Sequence, residues 1–325
     1  MLHNQRTLRS TPKGEPELSS KTVFASPISF ENTSTSLSQV EALEYIPLGD
    51  ILHSVDASEN NILRRKQRKL AATTASTYSL YSANPMHLNA LNSTLIFAQH
   101  EAGTAVCIHP DGWLLTCSHC IGESPIEWQA NKRKWLLYYT GLAVQAECRA
   151  WDPIRDLALL KIVIIEITQP GPQHIPVFAH LPLAFAVPKI RTPIFCLGQP
   201  GAEDLESDTY RKTKYNLTEL SEGKYYGIVG GADPQNNEAI GTLKHDAWTY
   251  WGHSGAPLVS AQNGELIGLH SSWDELTGMR HGIPLEALGA FVSKYLGSEG
   301  DIRGGMNVAD KGKQKEVIDL TAESD

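Results

Sequence analysis

Three short blocks of this sequence carry the residue types that nucleophilic catalysis requires. His119 stands in TCSHC, directly after an apolar run. Asp156 stands in DPIRDLALLKI, just ahead of another, and Ser254 lies in WGHSGAPLV among Gly252, Gly255 and Pro257. A serine hydroxyl is a poor nucleophile until an imidazole takes its proton. The imidazole in turn needs a carboxylate to fix its tautomer and stabilise its cation. Glycines beside the serine matter because backbone N–H groups must turn inward around a developing oxyanion.

Chain order separates the folds that use this chemistry. An α/β-hydrolase requires G-x-S-x-G and the order Ser, acid, His. Here Ala256 replaces the second glycine, and the acid-then-His pair considered after Ser254, Asp274 or Glu275 with His281, lies in a short span. The order His, Asp, Ser with wide spacing belongs to the chymotrypsin-like arrangement. Cys117 and Cys120 around His119 have the look of a metal knuckle, but zinc wants a second ligand pair and no second C-x-x-C exists. No metal or other cofactor is expected. Cys148 and Cys196 are isolated and read as core thiols.

The elements that must hold these residues are mainly strands. Over 86–298, STLIFA, TAVCI and WLLTC are β-branched or apolar runs, with HPDG as a hairpin turn between the last two. LALLKIVIIEI reads as a strand buried on both faces, and ELIGLHSSW follows a turn at Gln262-Asn263-Gly264. Six prolines from Pro170 to Pro193 argue against a helix there. In this region helical spacing is confined to Leu285–Leu296, between Pro284 and Gly297. The pattern predicts an all-β barrel or sandwich with one terminal helix.

The flanks read differently. Residues 1–85 hold 21 Ser plus Thr, and 299–325 are acidic without an aromatic residue. Both lack the apolar patterning that offsets chain entropy and are expected to be mostly disordered. A short helix over Val40–Ile46, ended by Pro47, is the exception considered.

The chain has 325 residues and a formal net charge of -8. That balance argues against a nucleic-acid-binding protein, which needs a basic face. No run of eighteen apolar residues is present, so no spanning helix and no membrane partner are expected. The N-terminus lacks an apolar core of the secretory type. Arg6 and Arg9 leave mitochondrial import open, with Glu15 and Glu17 against it. Five cysteines, an odd number, suit a reducing compartment, and the sequons at Asn92 and Asn216 are then idle.

At the level of whole blocks the sequence resembles a known family. GTAVCIHPDGWLLTCSHC, DPIRDLALLKI, HDAWTYWGHSGAPLVSAQNGELIGLHSS and MRHGIPLEAL are similar to consecutive blocks of a trypsin-like peptidase domain, nearest in style to HtrA proteases and bacterial glutamyl endopeptidases. The resemblance spans about 95–296. It implies two antiparallel six-stranded barrels with the site between them, and a serine endopeptidase acting on proteins or peptides. By this resemblance His119 is the general base, Asp156 the orienting acid and Ser254 the nucleophile, with the amides of Gly252 and Ser254 as the oxyanion hole. Asp152 is the rival acid, less suited because no buried strand follows it at once. Ala256 stands where the family has glycine, and Cys107 does not fall where a secreted trypsin would place the partner of Cys120. The primary specificity pocket is expected at Thr249 and His270. This pair resembles enzymes that cleave after Glu or Gln, because imidazole N–H and hydroxyl groups donate to a carboxylate or amide oxygen. Trp248 replaces the acid that would hold Lys or Arg.

Two features lie outside that domain. Val317-Ile318-Asp319-Leu320, with acids beyond, resembles a SUMO-interacting motif, an apolar strand that adds to a sheet edge. The basic run at 64–69 suits nuclear import, so a nuclear or cytoplasmic location is expected. The competing expectation is a catalytically silent peptidase fold that acts as a scaffold through its tail.

Overall fold

The computed structural model describes residues 43–47, 57–98, 103–167, 177–202 and 211–297. The chain first lays down Glu44–Pro47 (β1), Ala57–Tyr81 (α1) and Pro85–Ser93 (α2). Thr94–Phe97 (β2), Thr104–His109 (β3) and Trp113–Thr116 (β4) follow, then Pro125–Ala130 (α3), Arg133–Leu137 (β5), Ala143–Asp152 (β6) and Leu157–Ile167 (β7). These strands order as β1-β7-β4-β3-β2-β5-β6, and pairing of β7 with β6 closes β2–β7 into a barrel. A second closed barrel contains Pro193–Gly198 (β8), Glu219–Ile228 (β9), Leu243–His245 (β10), Pro257–Ser260 (β11), Leu266–Trp273 (β12) and Arg280–Pro284 (β13), in the order β10-β13-β12-β11-β8-β9. Leu285–Leu296 (α4) ends the described chain. The expected all-β architecture of two six-stranded antiparallel barrels with a C-terminal helix is what the chain forms.

The long apolar run forms β7, and its burial has a plain cause. One strand pairs antiparallel with β4 and β6 and parallel with β1. Between the barrels lies a shared core, with Val106 and Leu115 from one, Phe195, Val259 and Leu266 from the other, and Phe291 of α4. Burial of such side chains contributes about 2 kcal/mol each, so the two barrels are held as one body.

The first half of the chain departs from expectation in three places. Residues 57–81, read as part of a mostly disordered stretch, form α1. The segment has no Gly or Pro, and Leu63 and Leu70, two turns apart, are both buried against Ile96, Trp135 and Leu137. Few apolar residues suffice because the helix also docks by polar contacts. Arg64 Nη1 donates to buried Glu166 at 3.1 Å, Gln67 Nε2 donates to the same carboxylate at 2.5 Å, and Lys66 Nζ donates to the Phe97 carbonyl at 2.7 Å. The basic run is therefore part of the fold, with Arg65, Arg68 and Lys69 left exposed. Second, Glu44–Pro47 is a strand where a helical turn was considered. Its register with β7, Glu44↔Ile164 to Pro47↔Ile167, supplies backbone partners that a lone helical turn would lack. Third, α2 and α3 are helices that apolar spacing did not reveal, since each is announced by its cap. Asn84 accepts from Met86 N ahead of Pro85, and Ser124 accepts from Glu127 N ahead of Pro125. Residues 1–42 and 298–325 lie outside the described residues.

Candidate active site

His119 sits in a short 3-10 turn, Ser118–Cys120, at the end of β4. Trp151 Nε1 fixes that turn by donating to the carbonyls of Ser118 and Gly122. Asp156 lies in the β6–β7 connection with φ 53°, a left-handed backbone that Asp tolerates better than most residues. This places its fully buried carboxylate beside the imidazole, with His119 Nδ1 at 2.9 Å from Oδ1 and 3.0 Å from Oδ2. Ser118 Oγ donates to Oδ1 at 2.9 Å and Ser271 Oγ to Oδ2 at 2.8 Å. Asp152 is engaged elsewhere, accepting from Arg155 Nη1 at 2.6 Å.

Ser254 stands in the loop before β11. Its Oγ donates to the Ser271 carbonyl at 3.3 Å, so the hydroxyl and the Asp156 carboxylate touch opposite ends of one residue. Its carbonyl accepts from Thr104 N, and the Cys120 thiol approaches the same oxygen at 3.7 Å. His119, Asp156 and Ser254 are thus gathered from both barrels.

Two glycines shape the loop. Gly252 has φ 99° and Gly255 φ 82°. The Trp251 carbonyl is taken by Gly201 N, and in a trans peptide the following Gly252 N–H points the opposite way. Among the described residues neither the Gly252 nor the Ser254 amide has a hydrogen-bond partner. At Gly255 a Cβ would fall on the Thr104 carbonyl and on Thr116 Oγ1. Gly255→Ala is therefore expected to cost at least about 2 kcal/mol of stability and to abolish turnover. Full activity at an unchanged melting temperature would contradict this. Ala256 crowds nothing, because Gly198 opposite it has no side chain; a Cβ there would lie 2.8 Å from Ala256 Cβ.

Thr249 and His270 are both buried, at 1% and 2% exposure. His270 Nδ1 lies 3.1 Å from His245 Nε2, and the ring of His253 stands edge-on to His270 at 6.4 Å between centroids. Thr249 Oγ1 is buried without a partner, and the Thr249 carbonyl accepts from Arg280 Nη2 at 3.4 Å. Trp251 and Trp273 meet at 4.4 Å, joining the loop of Gly252 to the end of β12. His245, His253, Ser271 and Arg280 were not singled out by sequence reasoning. A buried histidine on β12 signals that it needs a partner, but which one follows only from the pairing of β10, β13 and β12.

Burial holds these histidines neutral. It pushes His245 down to about 3 and His253 to about 4, and it lowers His270 well below the ordinary imidazole value. At His245 and His253 the unfolded chain takes up a proton near pH 6.5, whereas the folded chain does not until about pH 3 and about pH 4, so stability is complete above pH 6.5 and is lost as pH falls, and His270 acts in the same direction. His245 and His253 each cost on the order of 3 kcal/mol by pH 4. Melting temperatures at pH 7.5, 5.5 and 4.5 should decline steadily; a flat profile would contradict the neutral histidines.

All five cysteines are free. Cys117, His119 and Asp156 offer donor atoms within 4.8 Å of one another. His119 and Asp156 are already engaged with each other, and burial raises the Cys117 thiol well above its ordinary value, which disfavours the thiolate a metal needs. Cys120 stands outside this group, so the knuckle suggested by Cys117, His119 and Cys120 is not what the fold assembles. Among the described residues no helix is long and apolar enough to cross a membrane. Val317, Ile318, Asp319 and Leu320 lie outside the described residues.

The family model of the trypsin-like peptidase domain matches residues 103–269, from just before β3 into β12. The chain belongs to that family. As a trypsin-like peptidase it is a serine-type endopeptidase, and its substrates are proteins or peptides. No curated protein matches it. Among solved structures this peptidase is similar to the active form of the Rv3671c protease from M. tuberculosis, at 16% identity over 67% of this chain and 86% of that one, with a TM-score of 0.48. It is also similar to a serine endoprotease from Yersinia pestis, at 21% identity over 76% and 69%, with a TM-score of 0.45.

Proposed function

We propose that this peptidase cleaves through an acyl-enzyme formed on Ser254, with His119 as general base, Asp156 as its orienting carboxylate and the amides of Gly252 and Ser254 as the oxyanion hole. The observation that carries this reading is the Asp156 carboxylate. It is fully buried, bonded to His119 Nδ1 and linked through Ser271 to the hydroxyl of Ser254. His119 takes the Ser254 proton as Oγ attacks the scissile carbonyl. The same proton then passes to the leaving amine, and water repeats the sequence on the ester. Reaction with a fluorophosphonate probe tests this, since labelling requires an activated serine. The full chain should label, and Ser254→Ala should remain folded without label or turnover. A folded wild type that never labels would favour the silent scaffold instead.

The pocket reading is cleavage after Glu or Gln. The orphaned Thr249 hydroxyl and the His270 imidazole supply donors for a side-chain oxygen, and Trp248 offers no charge for Lys or Arg. A peptide library checks it; equal rates after Phe or Arg, or a profile unmoved in His270→Ala, would sink it.

A second reading concerns the tail. Val317, Ile318 and Leu320 are apolar within a mostly polar segment, which supports strand addition to SUMO or to SUMOylated proteins and a nuclear or cytoplasmic place of work. A SUMO pull-down should capture the full chain and lose it in the Ile318→Ala, Leu320→Ala double variant.

A further inference from the structure

The pocket contains a cation that the donors named above leave unexplained. Arg280 opens β13 and lies across from His245 on β10 and from Trp273 on β12. Directly opposed residues of an antiparallel pair share a face of the sheet. Two positions on, Gly282 lies across from His270, so Arg280, His245 and His270 line one side of the three strands. The guanidinium then reaches the opposite wall, where Nη2 donates to the Thr249 carbonyl, while Nη1 donates to Gly278 O at 2.6 Å.

Two properties of this arginine point to a ligand. Its Nε is buried and has no hydrogen-bond partner. Among the described residues no carboxylate pairs with it, and the nearby Asp274 is occupied by Thr277 Oγ1 and Leu276 N. A partly exposed guanidinium whose protein partners are carbonyls keeps its charge available to an incoming anion. The field of Arg280 also helps hold His245, His253 and His270 neutral, so these imidazoles contribute hydrogen bonds while the arginine contributes the charge.

We propose that Arg280 is a specificity-determining residue, a fixed positive charge in the pocket that selects a side-chain carboxylate, and so Glu over its isostere Gln, before the scissile bond. This rests on the assignment of Thr249 and His270 to the primary pocket. Hydrogen bonding by Thr249 and His270 serves a carboxylate or an amide oxygen alike, whereas a partly buried guanidinium separates the two by charge.

The test is binding to the full chain carrying Ser254→Ala, which requires no turnover. Three peptides identical except for Glu, Gln or Leu at the pocket position are compared. The Glu peptide should bind at least about tenfold tighter than the Gln peptide. Adding Arg280→Gln should bring the two affinities to within about twofold by weakening Glu alone. Arg280→Lys, which retains the charge but not the planar fork, should keep part of the preference. Equal affinities for Glu and Gln, no binding of any peptide, or a preference that survives Arg280→Gln would overturn the proposal. Fluorophosphonate labelling of the wild type and of Arg280→Gln reports separately on fold and mechanism. A chain that labels without discriminating retains the mechanism and loses the proposed charge selection; one that discriminates without labelling does the reverse.

Discussion

Asp156→Asn should leave a folded protein whose kcat/KM falls by about ten-thousandfold, or some 5.5 kcal/mol of transition-state stabilisation. The carboxylate accepts from four donors: His119 Nδ1, the His119 amide, Ser118 Oγ and Ser271 Oγ. An asparagine has a single acceptor oxygen and an NH2 in place of the second. If the oxygen keeps Ser118 and the His119 amide, the NH2 faces Nδ1 and Ser271. His119 must then carry its proton on Nε2 and accept at Nδ1, the tautomer that cannot take a proton from Ser254. Volume and most of the packing are preserved, so the loss should appear in the rate of fluorophosphonate labelling while the melting temperature moves little. Asp152→Asn is the control. Its carboxylate serves Arg155, so that variant should retain activity within about threefold. Should Asp152→Asn prove the inactive one, the assignment of the orienting acid would be reversed.

What the sequence made legible, and what it hid, follows from how local each feature is. His119, Asp156 and Ser254 each sit in a block whose flanking residues carry the signal: an apolar run before His119, a buried strand after Asp156, glycines around Ser254. Strands β3, β4, β7 and β12 could be read for the same reason. Ser271 was hidden because its part depends on two contacts far away in sequence, its hydroxyl on Asp156 and its carbonyl facing Ser254. His245 and Arg280 come to one face with His270 only through the pairing of β10 and β12 with β13, and no spacing along the chain encodes that register. α1 was missed for a different reason. Its buried apolar positions are few, so periodicity reads it as solvated chain. Its anchor, Glu166, was submerged in LALLKIVIIEI, where one acid among ten other residues looked incidental.

That anchor carries the largest expected effect on stability. Glu166 is 1% exposed on β7 and faces Arg64 and Gln67 of α1. Arg64→Ala removes the cation from a carboxylate that has almost no access to water, at a cost of about 3 kcal/mol, or a fall in melting temperature of about 10 °C. An exposed pair would scarcely register, since surface ion pairs contribute about 0–1 kcal/mol. Arg133 with Glu147, where the arginine side chain is 59% exposed, supplies that comparison within the same barrel. Burial of the acid, not the loss of packing by arginine, sets this cost, and a second substitution separates the two. Glu166→Leu in the Arg64→Ala background removes the stranded charge and should recover most of the lost stability, because a buried pair replaced by apolar residues is often neutral. If the double variant melts as low as Arg64→Ala alone, the helix is held by Leu63 and Leu70 and the charge is incidental. The outcome also bears on catalysis, since β7 runs from Leu157, the residue after Asp156, to the strand end where α1 and β1 dock. Loosening α1 frees the far end of the strand that follows Asp156, so Arg64→Ala should lose labelling at a lower temperature than the wild type, in step with its melting.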